Sequence, residues 1–342
     1  MNYNIPNYPY AQGAYPPYAP PIMPQQDPKK TERKNLRSLC SKVGIAALLF
    51  VLIQNISVII FKTILSSITG ELYIKSTTEY YLLAGLASIL ALFLAGLILS
   101  KTSKNRLDSL ISFKKVSIKK SAALLTVVFS FSFTINYLIA LLNVNLSMVG
   151  FNNEVPNIYK SETVLDYVLM FVVVSLLPAL LEEFLFRGVI MGSLRKYGDG
   201  FAVLFSSLLF GLVHGNFVQL PFAFMMGLLL GTLTIYTKSI IPAMLLHFFN
   251  NANSCLLDLI SNKFSDSYAN LAFSSLGILF LVLGFIAFAK LARKDKNILI
   301  FEKSTSILTL KQKIGTGFSN AGVIIVTILL LALCILTAVG IY

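Results

Sequence analysis

The chain has 342 residues, 56% of them hydrophobic and 13% charged, with a formal net charge of +13 and a mean hydropathy of +0.76. Soluble domains run near a quarter charged, so this composition excludes an ordinary soluble globular protein and points to a membrane protein. The three cysteines, Cys40, Cys255 and Cys334, are scattered with no CxxC pair, which excludes a disulfide framework or a zinc knuckle.

In chain order, residues 1–28 are rich in Pro and Tyr without helical periodicity and are expected to form a disordered or polyproline-like tail. Residues 29–42 follow as a basic collar beside the first apolar run. That run begins only after residue 42, so no cleavable signal peptide is expected. Stretches apolar enough to cross a ~30 Å hydrocarbon core recur at 43–66, 80–100, 121–142, 163–185, 201–217, 219–236, 240–260, 269–290 and 320–341. The 201–260 region reads either as two long helices or as three short ones. The fold class is therefore an all-α, polytopic transmembrane helical bundle of about eight or nine spans. Loop 143–162 is the largest connection on the non-cytoplasmic side, and 291–319 is a basic loop before the last span. Three units follow the tail: 29–162, with the collar and the first helices; 163–260; and 261–342, with the last helices.

The basic charge follows this topology. With the N-terminus in the cytoplasm, twenty-four of the 28 Lys and Arg residues fall in cytoplasmic segments, and only Lys62, Lys75, Lys160 and Lys263 lie at or beyond the other face. This is a positive-inside pattern. It predicts a multi-pass protein of the cell membrane, with anionic lipid at the cytoplasmic face and not nucleic acid as the electrostatic partner.

Three places break the apolar pattern: Glu182, Glu183 and Arg187 in "LPALLEEFLFRGVI", His214 in "FGLVHGN", and His247 with Asn250 and Asn251 in "LLHFFNNAN". Both histidines of the chain thus fall within predicted spans. A charged group at bilayer depth costs about 2.5–3.5 kcal/mol even on insertion scales, so these groups are expected to face one another or internal water. Glu183 and Arg187, four apart, stack on one helix face and can pair. Glu182 is turned ~100° away and is left over. Pro178 removes a backbone hydrogen bond just before the pair and is expected to kink the helix. His247 and Asn251 share a face at the same spacing, and the depths allow Glu182, His214, His247 and Asn251 to meet in the cytoplasmic half of the bilayer.

A carboxylate, two imidazoles and an amide around water suit hydrolysis of a carbonyl. Glu182 is the candidate general base, and His214, or His247 with Asn251, are the candidate donors to an oxyanion. Glu plus two His is also an acceptable Zn2+ set with an open position for water, although no HExxH occurs. Each element has a bland alternative: an ion pair gluing helices, a packing histidine, an interhelical asparagine. A proton-coupled transporter uses similar groups but would usually show repeat symmetry, which is not visible here. A non-catalytic immunity or scaffold protein and a bis-His haem protein are further readings.

"EEFLFRG" from Glu182, "FGLVH" from Phe210 and "HFFNN" from His247 occur in that order within about 70 residues. They resemble the EExxxR, FxxxH and HxxxN/D motifs of the CPBP intramembrane proteases, also called the Abi or CAAX prenyl protease group. The resemblance covers roughly residues 165–257, near a quarter of the chain, and makes 163–260 the expected catalytic core. It implies an intramembrane endopeptidase acting on a membrane-associated protein or peptide. Glu182 would be the base, Glu183 and Arg187 would support it, and His214, His247 and Asn251 would complete the site. Members are described both as metalloproteases and as metal-free enzymes with a glutamate-activated water. Their roles include CAAX processing, bacteriocin maturation, self-immunity and scaffolding.

Overall fold

The computed structural model describes residues 27–70, 76–103, 110–148, 161–295, 301 and 304–338. The expected tail, up to residue 26, and most of the 143–162 loop lie outside them. Ten helices follow one another, and no strand occurs among the described residues. They are α1 (Pro28–Thr69), α2 (Thr77–Ser103), α3 (Ile118–Met148), α4 (Val164–Tyr197), α5 (Asp199–Leu212), α6 (Gln219–Thr237), α7 (Ile241–Lys263), α8 (Asp266–Lys294), α9 (Leu310–Phe318) and α10 (Ala321–Ala338). Among the described residues, seven are long and apolar enough to cross a membrane. The protein is therefore a multi-pass helical membrane bundle.

The count falls below nine for two physical reasons. Helix α5 has only 14 residues, about 21 Å at 1.5 Å per residue, which is short of the ~30 Å core. Helix α7 has the length but carries Asn250, Asn251, Asn253, Ser254 and Asp258 from its middle onward. The 201–260 region is thus three helices, the second of the two readings. The chain leaves α5 through Gly215, at φ 68°, a left-handed conformation that disfavours a side chain. Asn216 Oδ1 then accepts from the Gln219 N–H at 2.7 Å, fixing the entry to α6.

The basic collar is helical. Asp27 caps the N-terminus by accepting from Lys29 N–H at 2.9 Å, and α1 then runs unbroken for 42 residues, about 63 Å, so it extends well beyond the bilayer. The collar is packed as well as charged: Leu36, Leu39 and Cys40 are buried. Asn320, just before α10, donates to the Arg37 carbonyl and accepts from the Ser41 hydroxyl, tying the collar to the last span. The 291–319 connection, expected as a loop, contains a short helix, α9. A capping box between Thr309 and Gln312 starts α9. On α9, Lys313 is buried and donates to Ser304 Oγ at 3.3 Å; burial pulls its ammonium below the usual lysine range, against a smaller opposing effect of Glu32.

The main core joins α1, α4, α5 and α10 through Val43, Ala47, Phe186, Ile190, Phe205 and Val326. Short connections (residue 198 between α4 and α5, 238–240 between α6 and α7) make these neighbours antiparallel. The two ends can then be told apart by contacts. On the lysine-rich side, Ser112 Oγ donates to the Lys238 carbonyl, and Lys120 lies 4.3 Å over the Tyr236 ring. On the other side, Thr78 donates to Asp166 Oδ1 and Thr337 to the Gly215 carbonyl at 3.0 Å.

Candidate active site

Helix α4 changes type along its length. Phe171–Leu176 is π-helical, Leu177–Glu183 is α-helical, and Phe184–Met191 is π-helical again. The expected break at Pro178 takes this form: Leu177 N–H reaches back five residues to the Val172 carbonyl. In an α-helix the Val174 carbonyl would accept from residue 178, and proline has no N–H to give. Asn251 of α7 supplies the missing donor, its Nδ2 lying 3.0 Å from the Val174 carbonyl. Asn250 Nδ2 donates to Asn251 Oδ1 at 3.2 Å, and Ser132 of α3 donates to Asn250 Oδ1 at 2.6 Å. A relay of side-chain hydrogen bonds therefore joins α3, α7 and α4 at the helix break.

One turn on, Glu183 is fully buried and holds two partners on one oxygen. Arg187 Nη1 lies 3.0 Å from its Oε1, and His247 Nδ1 lies 2.8 Å from the same atom. The arginine approaches off-axis. Neither of its terminal nitrogens nor Glu183 Oε2 has a well-aligned hydrogen-bond partner among the described residues. The guanidinium is instead seated on the face of Phe210, 4.2 Å from the ring centroid. This arrangement holds it by charge and by a cation–π contact.

Glu182 points elsewhere, as its rotation around the helix requires. Its side chain keeps 17% exposure, lines a cavity of about 520 Å³, and faces His247 Nε2 across 4.0 Å. His214 lines the same cavity, but it lies in the turn just beyond α5 and not inside a span; its Nδ1 is 2.7 Å from the Phe210 carbonyl. His247, Asn250 and Asn251 also line it. Glu182, His214, His247 and Asn251 thus border one space, while Glu183 and Arg187 stand behind it. Measured along α7, His247 lies about 9 Å from the lysine-rich end.

The ring nitrogens can be assigned from their partners. A carbonyl and a paired carboxylate only accept, so Nδ1 donates in both histidines and Nε2 is the atom left for the cavity. That tautomer would suit zinc ligation. However, no three His, Cys, Asp or Glu side chains gather at ion-holding spacing among the described residues.

Phe210 is the residue whose role the sequence reading missed. Besides seating Arg187, its ring meets His214 at 5.0 Å, His247 at 5.9 Å and Phe186 at 5.1 Å, all edge to face. Its place at the head of FxxxH was visible, but nothing in a single sequence says that an aromatic will touch three motifs. Spacing puts only Asn251 on the face of His247, yet Asn250 lines the cavity as well.

Fold and site together define a polytopic helical membrane protein with a buried carboxylate–imidazole centre beside a cavity of about 520 Å³. Residues 164–253 match the family model described as type II CAAX prenyl endopeptidase, Rce1-like. Over 95 residues the chain is 32% identical to the membrane-embedded CAAX protease MroQ of Staphylococcus aureus (strain USA300). That stretch covers 26% of this chain and 38% of the relative, so the likeness spans well under two thirds of that protein's length. The family match falls on the segment that carries the three motifs, and the CPBP resemblance is borne out for it. No solved structure matches the chain.

Proposed function

We propose that the protein is an intramembrane endopeptidase that hydrolyses a peptide bond of a membrane-associated protein or peptide with a water activated by Glu182. The observation that carries this reading is the 4.0 Å gap between Glu182 Oε2 and His247 Nε2 at the cavity floor. A water about 2.8 Å from both atoms would subtend an angle of about 90°, an acceptable two-point hydrogen-bonded seat.

Charge balance assigns the remaining roles. Glu182 and Glu183 carry two negative charges and Arg187 one positive, so the buried set is electroneutral when His247 is an imidazolium. Neutrality matters at this depth because an unmatched charge costs several kcal/mol. In that form His247 Nε2–H is a donor, suited to the oxyanion that develops as water attacks the carbonyl. His214, held neutral with its Nδ1–H on the Phe210 carbonyl, presents an accepting Nε2 and orients the water together with Glu182. Glu183 fixes the His247 ring and Arg187 balances its charge. Asn251 fixes the helix break one turn before Glu182, and its second amide hydrogen remains for the substrate. No step needs a metal. The N-terminus and basic loops face the cytoplasm in this reading, against anionic lipid.

The test is cleavage of membrane-anchored reporter peptides by purified protein in detergent or liposomes. Glu182→Gln keeps the side-chain shape and removes the base, and should lower the rate about 10²–10⁴-fold. Unchanged turnover by this variant would sink the assignment, and a wild type that cleaves no membrane peptide but moves protons with a solute would replace it with the transporter reading.

A further inference from the structure

The cavity has a direction. Its deepest lining residues, Leu230 and His247, lie about 9–10 Å from the lysine-rich ends of α6 and α7. At the other extreme is Gln219, the first residue of α6, about 27 Å from that helix's lysine-rich end. Asn143 of α3 sits at a matching height. The Ser132–Asn250 hydrogen bond aligns α3 with α7 and puts Asn143 about 30 Å above the start of α7. Since the hydrocarbon core is ~30 Å thick, Gln219 and Asn143 lie at the bilayer surface on the lysine-poor side.

The opposite end is sealed. Below the floor, Leu124 and Val128 of α3, Leu230 and Leu233 of α6, and Ala243 and Leu246 of α7 form one buried apolar cluster. Beneath it the Tyr236 hydroxyl donates to Asp295 Oδ2 at 2.6 Å, and Lys120 covers the Tyr236 ring. Among the described residues, a solute on the lysine-rich side meets a packed plug, and one on the other side meets an amide-lined opening.

The lining also selects its occupant. Among the described residues, the cavity's ionisable side chains are Glu182, His214 and His247, all grouped around the reacting centre; the upper polar residues, Asn136, Asn143, Gln219 and Ser254, are neutral. Amides both donate and accept, so they can satisfy the N–H and C=O groups of a chain that has left its own helix, but they offer a charged side chain no counter-ion. From Gln219 to His247 the depth is about 18 Å, which holds about five or six residues of extended chain at ~3.3 Å each.

Building on the peptidase reading, we propose that this cavity is loaded from the face opposite the Lys/Arg-rich one, by an uncharged, extended segment of a peptide. The basic face carries the topology signal, and the other face admits the substrate.

Two measurements test this without relying on turnover. The three native cysteines are buried and give little background. Gln219→Cys and Asn143→Cys mark the mouth, and Lys115→Cys marks the basic face. Each protein is treated with a membrane-impermeant maleimide in right-side-out and in inverted vesicles. The mouth cysteines should react from one side and Lys115→Cys from the other; reaction of all three from the same side overturns the proposal. Having two mouth positions guards against one variant failing to fold. In proteoliposomes holding Glu182→Gln, an uncharged six-residue peptide carrying benzoylphenylalanine should photo-crosslink when present on the lysine-poor side. The same peptide with a central aspartate or lysine should not. Crosslinking only from the basic side, or equally with the charged peptides, also overturns it. If wild type cleaves nothing, the peptidase reading fails, while labelling and crosslinking still decide which face and which chemistry the cavity serves.

Discussion

Asn251→Ala removes the donor that replaces the N–H missing at Pro178. The cost follows from the site: the Val174 carbonyl, half-buried beside the cavity, loses the Nδ2 partner 3.0 Å away. Leaving such a group unsatisfied costs about 1–3 kcal/mol. Asn250 also loses the acceptor of its Nδ2 proton, which places the effect toward the upper part of that range. The decisive variant is the double substitution Pro178→Ala with Asn251→Ala. Alanine restores an N–H at 178 that can reach the Val174 carbonyl in α-helical geometry, so the double variant should recover most of the stability lost by Asn251→Ala. Pro178→Ala alone should be near neutral, because a carbonyl can accept two hydrogen bonds. Unfolding of the four proteins in detergent gives the coupling directly, as a double-mutant cycle. Strictly additive effects would refute the clamp and return Asn251 to a purely substrate-facing role. Peptide cleavage by the double variant adds a second readout: recovered stability with poor turnover would mean that the π-helical register itself positions Glu182.

Arg187→Met leaves Glu183 buried with His247 as its remaining ionic partner, and should destabilise by about 3–5 kcal/mol. Adding Glu183→Gln should relieve part of that loss, whereas a double variant as unstable as the sum of the singles would refute the pairing. Arg187→Lys keeps the charge but gives up the planar contact on Phe210, so a loss of about 1–2 kcal/mol is expected, read by the same unfolding assay. Treatment with a chelator followed by removal of the metal–chelator complex should leave cleavage unchanged; loss of activity that Zn2+ restores would require the site to rearrange around an ion. Lys313, with its folded pKa below the unfolded value of 10.5, makes the folded state bind fewer protons as pH approaches 10.5 from below. Stability should therefore gain a positive contribution with rising pH in that window, and Lys313→Met should abolish that part of the slope.

Composition and patterning were enough for the membrane class, the order of the helices and the three motif clusters, because burial in lipid forces apolar runs of bilayer length and makes every charge within them conspicuous. Helical rotation alone also separated Glu182 from the Glu183–Arg187 pair, since that geometry is local. Tertiary packing decided what is not local. It put His247 on Glu183, made Phe210 the shared wall of all three motifs, moved His214 from a span to a turn, and turned Asn251 toward a carbonyl that Pro178 had left without its helical donor. It also decided which end of the cavity is plugged and which is open. Those outcomes depend on how far one helix slides along another, and sequence spacing within a single helix carries no information about that offset.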